Sequence, residues 1–303
     1  MPSHLKVLVR ARMEKTGESY EQALRHVRAQ EERERLAGPP EDVPYLQSPE
    51  RAASVADTAF AVAAVRAEEA ARPAAERLFD DPYAAHFAAS GAHVAEATQR
   101  FLDLPFLRDG VRLRTRYIDD AVREALAAGL DQVVLLGAGF DARGMRLPEI
   151  AAGEVSVYEV DTSYQIARKR AALREARVDV PPHVAYVSVD FHAASFEDEL
   201  DAALEEKGFR PGEGAVFVWE GVIGYIDDAA IDRTLRYVVQ RGGPRSRLVF
   251  TYADSNPDNA PGRVASAGFA SFTHVDGNAL WRRYLPGDPH PAAWVIKIGT
   301  ATV

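Results

Sequence analysis

The chain contains no cysteine, which excludes disulfides, thiolate metal sites and a thiol nucleophile together. No metal site is expected. No apolar run approaches the roughly 20 residues needed to span a bilayer, and the first twelve residues are too broken by charge for a secretory leader. The expectation is a cytoplasmic protein with no membrane partner. Basic residues are the minority: 36 lysines and arginines stand against 45 aspartates and glutamates, a formal net charge of −9. Holding nucleic acid through its phosphates needs the opposite balance, so no nucleic-acid partner is expected. What remains is 303 residues, 47% of them hydrophobic, enough to bury one large core with a helical cap.

Periodicity divides the chain. Leu5, Leu8 and Val9, then Tyr20, Ala23, Leu24 and Val27, recur at helical spacing. Ser19 followed by Gln22 reads as a capping box, and Gly38-Pro39-Pro40 as a linker. Residues 1–45 are therefore expected to form a helical extension, either a solvated arm or a docking element for a homodimer. Residues 46–303 carry the main domain, with a helical cap over 46–130 and an α/β core over 131–303. In the cap the helical pattern breaks at Arg72-Pro73, Asp80-Asp81-Pro82, Ser90-Gly91 and Asp109-Gly110. Short buried runs then follow at 133–136, 155–160, 184–189, 215–219 and 248–252, separated mostly by helical segments near 162–176, 193–207 and 228–240. Strand, helix, strand at this spacing predicts right-handed crossovers and a doubly wound, mainly parallel sheet of about seven strands. Trp294–Ile298 reads as an antiparallel edge strand and Asp254–Gly268 as loop.

Four motifs lie at the predicted carboxyl ends of these strands. Gly137-Ala138-Gly139-Phe140-Asp141 directly follows the first one, where glycines let the backbone turn sharply and approach a ligand. A dinucleotide fold uses such a turn for a pyrophosphate, but Asp141 would repel that anion. A cofactor carrying a sulfonium and an ammonium tolerates it. Glu159 and Asp161 end the second strand on one face, where an acid can accept from both ribose hydroxyls; Asp161 can equally cap the next helix. Asp190 with Phe191 suits an adenine, the carboxylate accepting from the amine and the ring packing on the base. Glu220 stands in the apolar run Phe217-Val218-Trp219, and a buried carboxylate needs a partner, for which a cofactor ammonium is suited.

In this order the motifs resemble the leucine carboxyl methyltransferase family, in particular its bacterial small-molecule O-methyltransferase branch. The resemblance covers roughly residues 50–252. It runs through Thr58-Ala59, Arg66-Ala67-x-Glu69, Leu78-Phe79-x-Asp81-Pro82-Tyr83-Ala84 and Arg114-Thr115-Arg116-Tyr117-Ile118-Asp119-Asp120. It continues in Gly137 to Arg143 with Arg146-Leu147, Glu159-Val160-Asp161, Val189-Asp190 and Glu220-Gly221-Val222. It implies a class I, Rossmann-like methyltransferase domain that uses S-adenosylmethionine and releases S-adenosylhomocysteine. It further implies that Arg114 takes the cofactor carboxylate, Gly137, Ala138 and Gly139 form the turn under the methionine moiety, and Asp161 takes the ribose. Asp190 and Phe191 take the adenine, Glu220 the ammonium, and Tyr225 faces the substrate.

The expected reaction is methylation of a carboxylate or hydroxyl on a small molecule of secondary metabolism. Displacement at a sulfonium depends mainly on proximity and alignment. A carboxylate acceptor is already a nucleophile, whereas a hydroxyl would be helped by a base, for which His192 and His274 are the candidates. Two other readings stand beside this one: a cofactor-binding protein of this fold that does not methylate, such as a cyclase, and a nicotinamide-dependent oxidoreductase.

Overall fold

Strands built of Val, Leu and Phe with both faces apolar can only sit inside a sheet covered on two sides. The computed structural model describes residues 12–13, 19–26, 49–103, 105–152, 154–253 and 259–303. In it, β1 (Gln132–Leu136) is buried along its whole length. The sheet has seven strands in the order β3-β2-β1-β4-β5-β7-β6, with β2 Ser156–Asp161, β3 Val184–Ser188, β4 Val216–Trp219, β5 Arg247–Tyr252, β6 Ser271–Asp276 and β7 Lys297–Thr302. The first five are parallel, and β7 runs antiparallel to both its neighbours.

The helices are α1 (Pro49–Ala70), α2 (Ala84–Ser90), α3 (Ala95–Leu102) and α4 (Pro105–Ala127) before the sheet. Then come α5 (Arg143–Arg146), α6 (Pro148–Ala151), α7 (Ser163–Glu175), α8 (Phe196–Glu206), α9 (Asp228–Gly242), α10 (Ala260–Ala267) and α11 (Gly277–Tyr284). On one face Val134, Phe217, Trp219 and Phe250 pack with Leu200 and Leu204 of α8 and Ile231, Leu235 and Val238 of α9. On the other, Val133, Leu135, Val218 and Val249 pack with Leu113, Ile118 and Val122 of α4 and Leu280 of α11. Alternate residues of one strand thus serve opposite layers.

Three sequence-based expectations fail here. The strand expected over Trp294–Ile298 begins only at Lys297, after a 3₁₀ turn at Ala293–Val295, and it is antiparallel but not at the edge: β7 lies between β5 and β6, and β6 is the edge strand. The sequence of β6, Ser-Phe-Thr-His-Val-Asp, carries no apolar run, and none of its side chains is fully buried. The loop expected over Asp254–Gly268 contains α10, whose Asn259 side chain accepts from Gly262 N; only Ala260 and Val264 are buried, too few for a periodic signal. Asp109-Gly110 is not a break but lies within α4. A Cβ on Gly110 would stand 1.9 Å from Ile296 Cδ1, so the glycine serves close packing.

The chain divides into Met1–Pro44 and Tyr45–Val303. In the first unit Gln22 N donates to Ser19 Oγ at 3.4 Å and Ser19 N to Gln22 Oε1 at 3.1 Å, the reciprocal capping box. Residues 20–26 are helical, and Ala23 is buried against Met13 and Leu24. Leu5, Leu8, Val9, Val27 and the Gly38-Pro39-Pro40 linker lie outside the described residues. No motif of the site falls in this unit. A chain starting at Tyr45 is therefore expected to melt cooperatively and bind S-adenosylhomocysteine within about threefold of the full chain, as titration calorimetry would read; a folded truncation that has lost binding would assign the segment to the site.

Candidate functional site

Because β1 pairs in parallel with both β2 and β4, their carboxyl ends open side by side, at the crevice where ligands of such sheets bind. Directly after β1 the chain turns through Gly137 at φ +66° and Gly139 at φ +51°, conformations that cost an L side chain energy. Asp161, at the end of β2, fastens this turn: its Oδ2 accepts from Gly139 N at 2.7 Å and its Oδ1 from Thr162 N at 2.7 Å. The next helix is capped by Thr162 rather than Asp161. Burial pushes the Asp161 carboxyl above its ordinary range, against the lowering effect of those two amides. Ala138 is buried beneath the turn, its N donating to Val160 O at 3.0 Å.

Glu220 follows β4. The sequence suggests a carboxylate in need of a ligand, but the protein itself supplies three partners. Arg66 Nη2 and Arg114 Nε donate to Oε1 at 2.9 and 2.8 Å, and Arg143 Nη1 donates to Oε2 at 2.8 Å. Burial alone would raise its pKa; Arg66, Arg143 and Arg114 outweigh that and hold it far below the usual carboxylate range. Glu220 is therefore ionised before any ligand arrives.

Arg143 is wholly buried and belongs to a balanced charge network. Its Nε donates to Asp119 at 2.7 Å, its backbone N to Asp141 Oδ1 at 2.7 Å, its Nη1 also to Asp141 Oδ2, and its Nη2 to Thr115 O at 3.3 Å. Arg146 clasps Asp119 from the other side, both its terminal nitrogens at 2.7 Å, and stands 3.6 Å from Asp81. Burial would raise the Asp119 carboxyl, but Arg146 and Arg143 together lower it. Four carboxylates (Asp81, Asp119, Asp141, Glu220) meet four guanidinia (Arg66, Arg114, Arg143, Arg146), all from the motifs that carry the family resemblance.

The donor set fits an extended amino-acid-bearing ligand. Among the described residues Arg114 donates only through Nε, so its terminal fork stays available. A Cβ added to Gly221, which sits at φ +70°, would stand 3.4 Å from Arg114 Nη2, so the glycine keeps the approach to that fork clear. An added Cβ on Gly139 would lie in ordinary van der Waals contact with Ala59 Cβ of α1, at 3.8 Å, so the turn tolerates close approach without a clash. A guanidinium fork for a carboxylate and an ionised glutamate for an ammonium stand beside that turn.

Other expected site residues are placed differently. Asp141 faces inward onto Arg143, so it neither presents its charge to a ligand nor repels a phosphate, and that argument against a dinucleotide lapses. Glu159 is buried under α7 with Lys169 Nζ at 2.6 Å from its Oε2, and is not offered to a ribose. Phe191 turns into the core, stacked on Phe196 with centroids 5.0 Å apart, because the chain leaving β3 keeps alternating and Asp190 takes the outward position. Asp190 is exposed and accepts from His192 N at 2.9 Å. His192 Nδ1 lies 3.8 Å from Asp227 Oδ2. Tyr225, in a 3₁₀ turn after Glu220, donates to Thr58 Oγ1 at 3.2 Å. His274 is exposed on β6. Sequence reasoning assigned no role to Arg66, Arg143, Arg146 or Asp119. The signal for them is that a carboxylate inside an apolar strand requires cations, and the same motifs supply Arg66, Arg114, Arg143 and Arg146.

This sheet order, with its one antiparallel strand and its site over β1, β2 and β4, is that of a class I methyltransferase. Solved structures agree on the fold. One from Thermobifida fusca, provisionally described as a methyltransferase, superposes with a TM-score of 0.51 at 18% identity over 80% of this chain and 93% of that one. Another, from Streptomyces avermitilis, has a TM-score of 0.50 at 15% identity over 81% and 96%. The family model of leucine carboxyl methyltransferases matches residues 59–239, and the chain belongs to that family. Similar curated proteins are provisionally named S-adenosyl-L-methionine-dependent methyltransferases. One from Mycobacteroides abscessus is 37% identical over 74% of this chain and 68% of its own length. One from Streptomyces avermitilis is 30% identical over 80% and 81%.

Proposed function

We propose that the protein is an S-adenosylmethionine-dependent O-methyltransferase acting on a carboxylate or hydroxyl of a small molecule in secondary metabolism, with S-adenosylhomocysteine as product. The observation that carries this reading is the pair formed by the open fork of Arg114 and the ionised Glu220, set over two glycines of positive φ. Arg114 takes the cofactor carboxylate and Glu220 the ammonium. Gly137, Ala138 and Gly139 underlie the methionine moiety, Asp161 faces the ribose and Asp190 the adenine. When bound, the cofactor supplies an electrophilic methyl on sulfur. The chain's own contribution is to fix the ends of the methionine moiety, so that the line of attack is set before the acceptor enters.

A carboxylate acceptor supports the economy of this site, since it needs no proton removed. Tyr225, close to Glu220 in sequence, lines the acceptor side, and His192 is the base for a hydroxyl acceptor. Incubation with methyl-labelled cofactor and a panel of small carboxylic acids and phenols tests the reaction. Methyl esters release labelled methanol in mild base, whereas methyl ethers do not. Base-labile product is the expected result; label that stays with the cofactor across the panel and a cell extract would remove the transferase reading.

A further inference from the structure

We propose that Arg143 is a positioning residue for methyl transfer, its guanidinium setting the spacing between the glycine turn, Glu220 and Arg114. The proposal rests on the cofactor reading above. Arg143 lies just beyond the turn, at the start of α5, and its side chain is fully buried, so it cannot touch a ligand. All its nitrogens are used. Nη1 joins Asp141, which belongs to the turn, to Glu220 Oε2, which belongs to the end of β4. Nη2 holds the carbonyl of Thr115, the residue after Arg114, and Nε holds Asp119 one turn further along α4. One planar fork therefore ties three separate elements at the places where each offers a group to the methionine moiety. Arg66 supports the same arrangement through Glu220 Oε1 and Thr115 Oγ1. Lysine keeps the charge but has a single nitrogen and cannot span these partners.

The test is titration of the full chain with S-adenosylhomocysteine for the wild type, Arg143→Lys, Glu220→Gln and the double variant, between pH 5 and 8, with melting curves alongside. The charged groups facing Glu220 are Arg66 from α1, Arg114 from α4 and Arg143 from α5, with Asp141 and Asp119 behind Arg143. Arg143→Lys is expected to weaken binding at least about tenfold. Any loss of affinity on acidification should begin at a higher pH than in the wild type, because one of the three guanidinia that hold Glu220 ionised no longer reaches it. The double variant should bind within about threefold of Glu220→Gln alone, since Arg143 acts through Glu220. If Arg143→Lys does not fold, Asp119→Asn, which frees only the α4 side of the fork, should still weaken binding about threefold or more. Unchanged affinity in folded Arg143→Lys or Asp119→Asn, or losses that multiply in the double variant, would overturn the proposal while the cofactor reading stands. A wild-type protein that does not bind S-adenosylhomocysteine overturns both.

Discussion

Replacing Glu220 by glutamine is expected to lower stability and cofactor affinity together. The apolar setting of Glu220 suggests that removing its charge would leave the ligand-free protein unharmed. The three arginines reverse that expectation: taking one member from a buried ion cluster leaves the others uncompensated, at a cost of about 3 kcal/mol. For a domain of this size that corresponds to roughly 6–12 °C in melting temperature. S-adenosylhomocysteine binding should weaken by about 1.5–3 kcal/mol, the worth of a hydrogen bond to a charged group. The pH dependence follows from the sign of the shift. Glu220 has a folded-state pKa held below its ordinary 4.5, so its contribution is complete above that value and fades as pH falls below it. The gap in melting temperature between wild type and variant should be full at pH 7 and narrow below about pH 4.5. A gap that is constant with pH, or absent at pH 7, would mean that the arginine cluster does not stabilise the fold through this carboxylate.

Gly137→Ala should have an effect of similar size by a different route. The residue sits at φ +66°, where an alanine costs about 1 kcal/mol. Its Cβ would also stand 2.2 Å from Val222 Cγ2, and relief of such a clash in a packed region costs about 1–3 kcal/mol. Val222 is two residues from Glu220, so the movement that relieves the clash displaces the acid. Denaturant unfolding should therefore show a loss of about 2–4 kcal/mol, and calorimetry at least a tenfold loss of S-adenosylhomocysteine affinity. Near-wild-type binding in a folded Gly137→Ala protein would show that the turn tolerates a side chain and does not shape the site.

The central strands were legible because each is a short run of branched and aromatic residues bounded by turn signals, and helical segments between them leave few topologies. The edge was not. The exposed β6 and the thinly buried α10 owe their form to packing against their neighbours, which leaves little periodic trace. The same division holds in the site. Gly137, Gly139, Asp161 and Glu220 could be placed from the sequence because a glycine turn or an acid at a strand end has a local reason. The orientation of Asp141, Glu159 and Phe191 could not: their partners Arg143, Lys169 and Phe196 are near in sequence, but which way each side chain turns is set by packing in the fold. Phe191 illustrates the limit most simply: one step in the alternation of the chain decides whether an aromatic ring meets a ligand or the core.

The measurement that bears most directly on the account is calorimetric titration of the full chain with S-adenosylhomocysteine, run beside NADH and NADPH. The account predicts saturable binding of S-adenosylhomocysteine at about one site per chain, weakened about tenfold or more in Glu220→Gln and in Arg114→Met, with no heat of binding for either nicotinamide nucleotide. A folded protein that binds a nicotinamide nucleotide and not S-adenosylhomocysteine would contradict it.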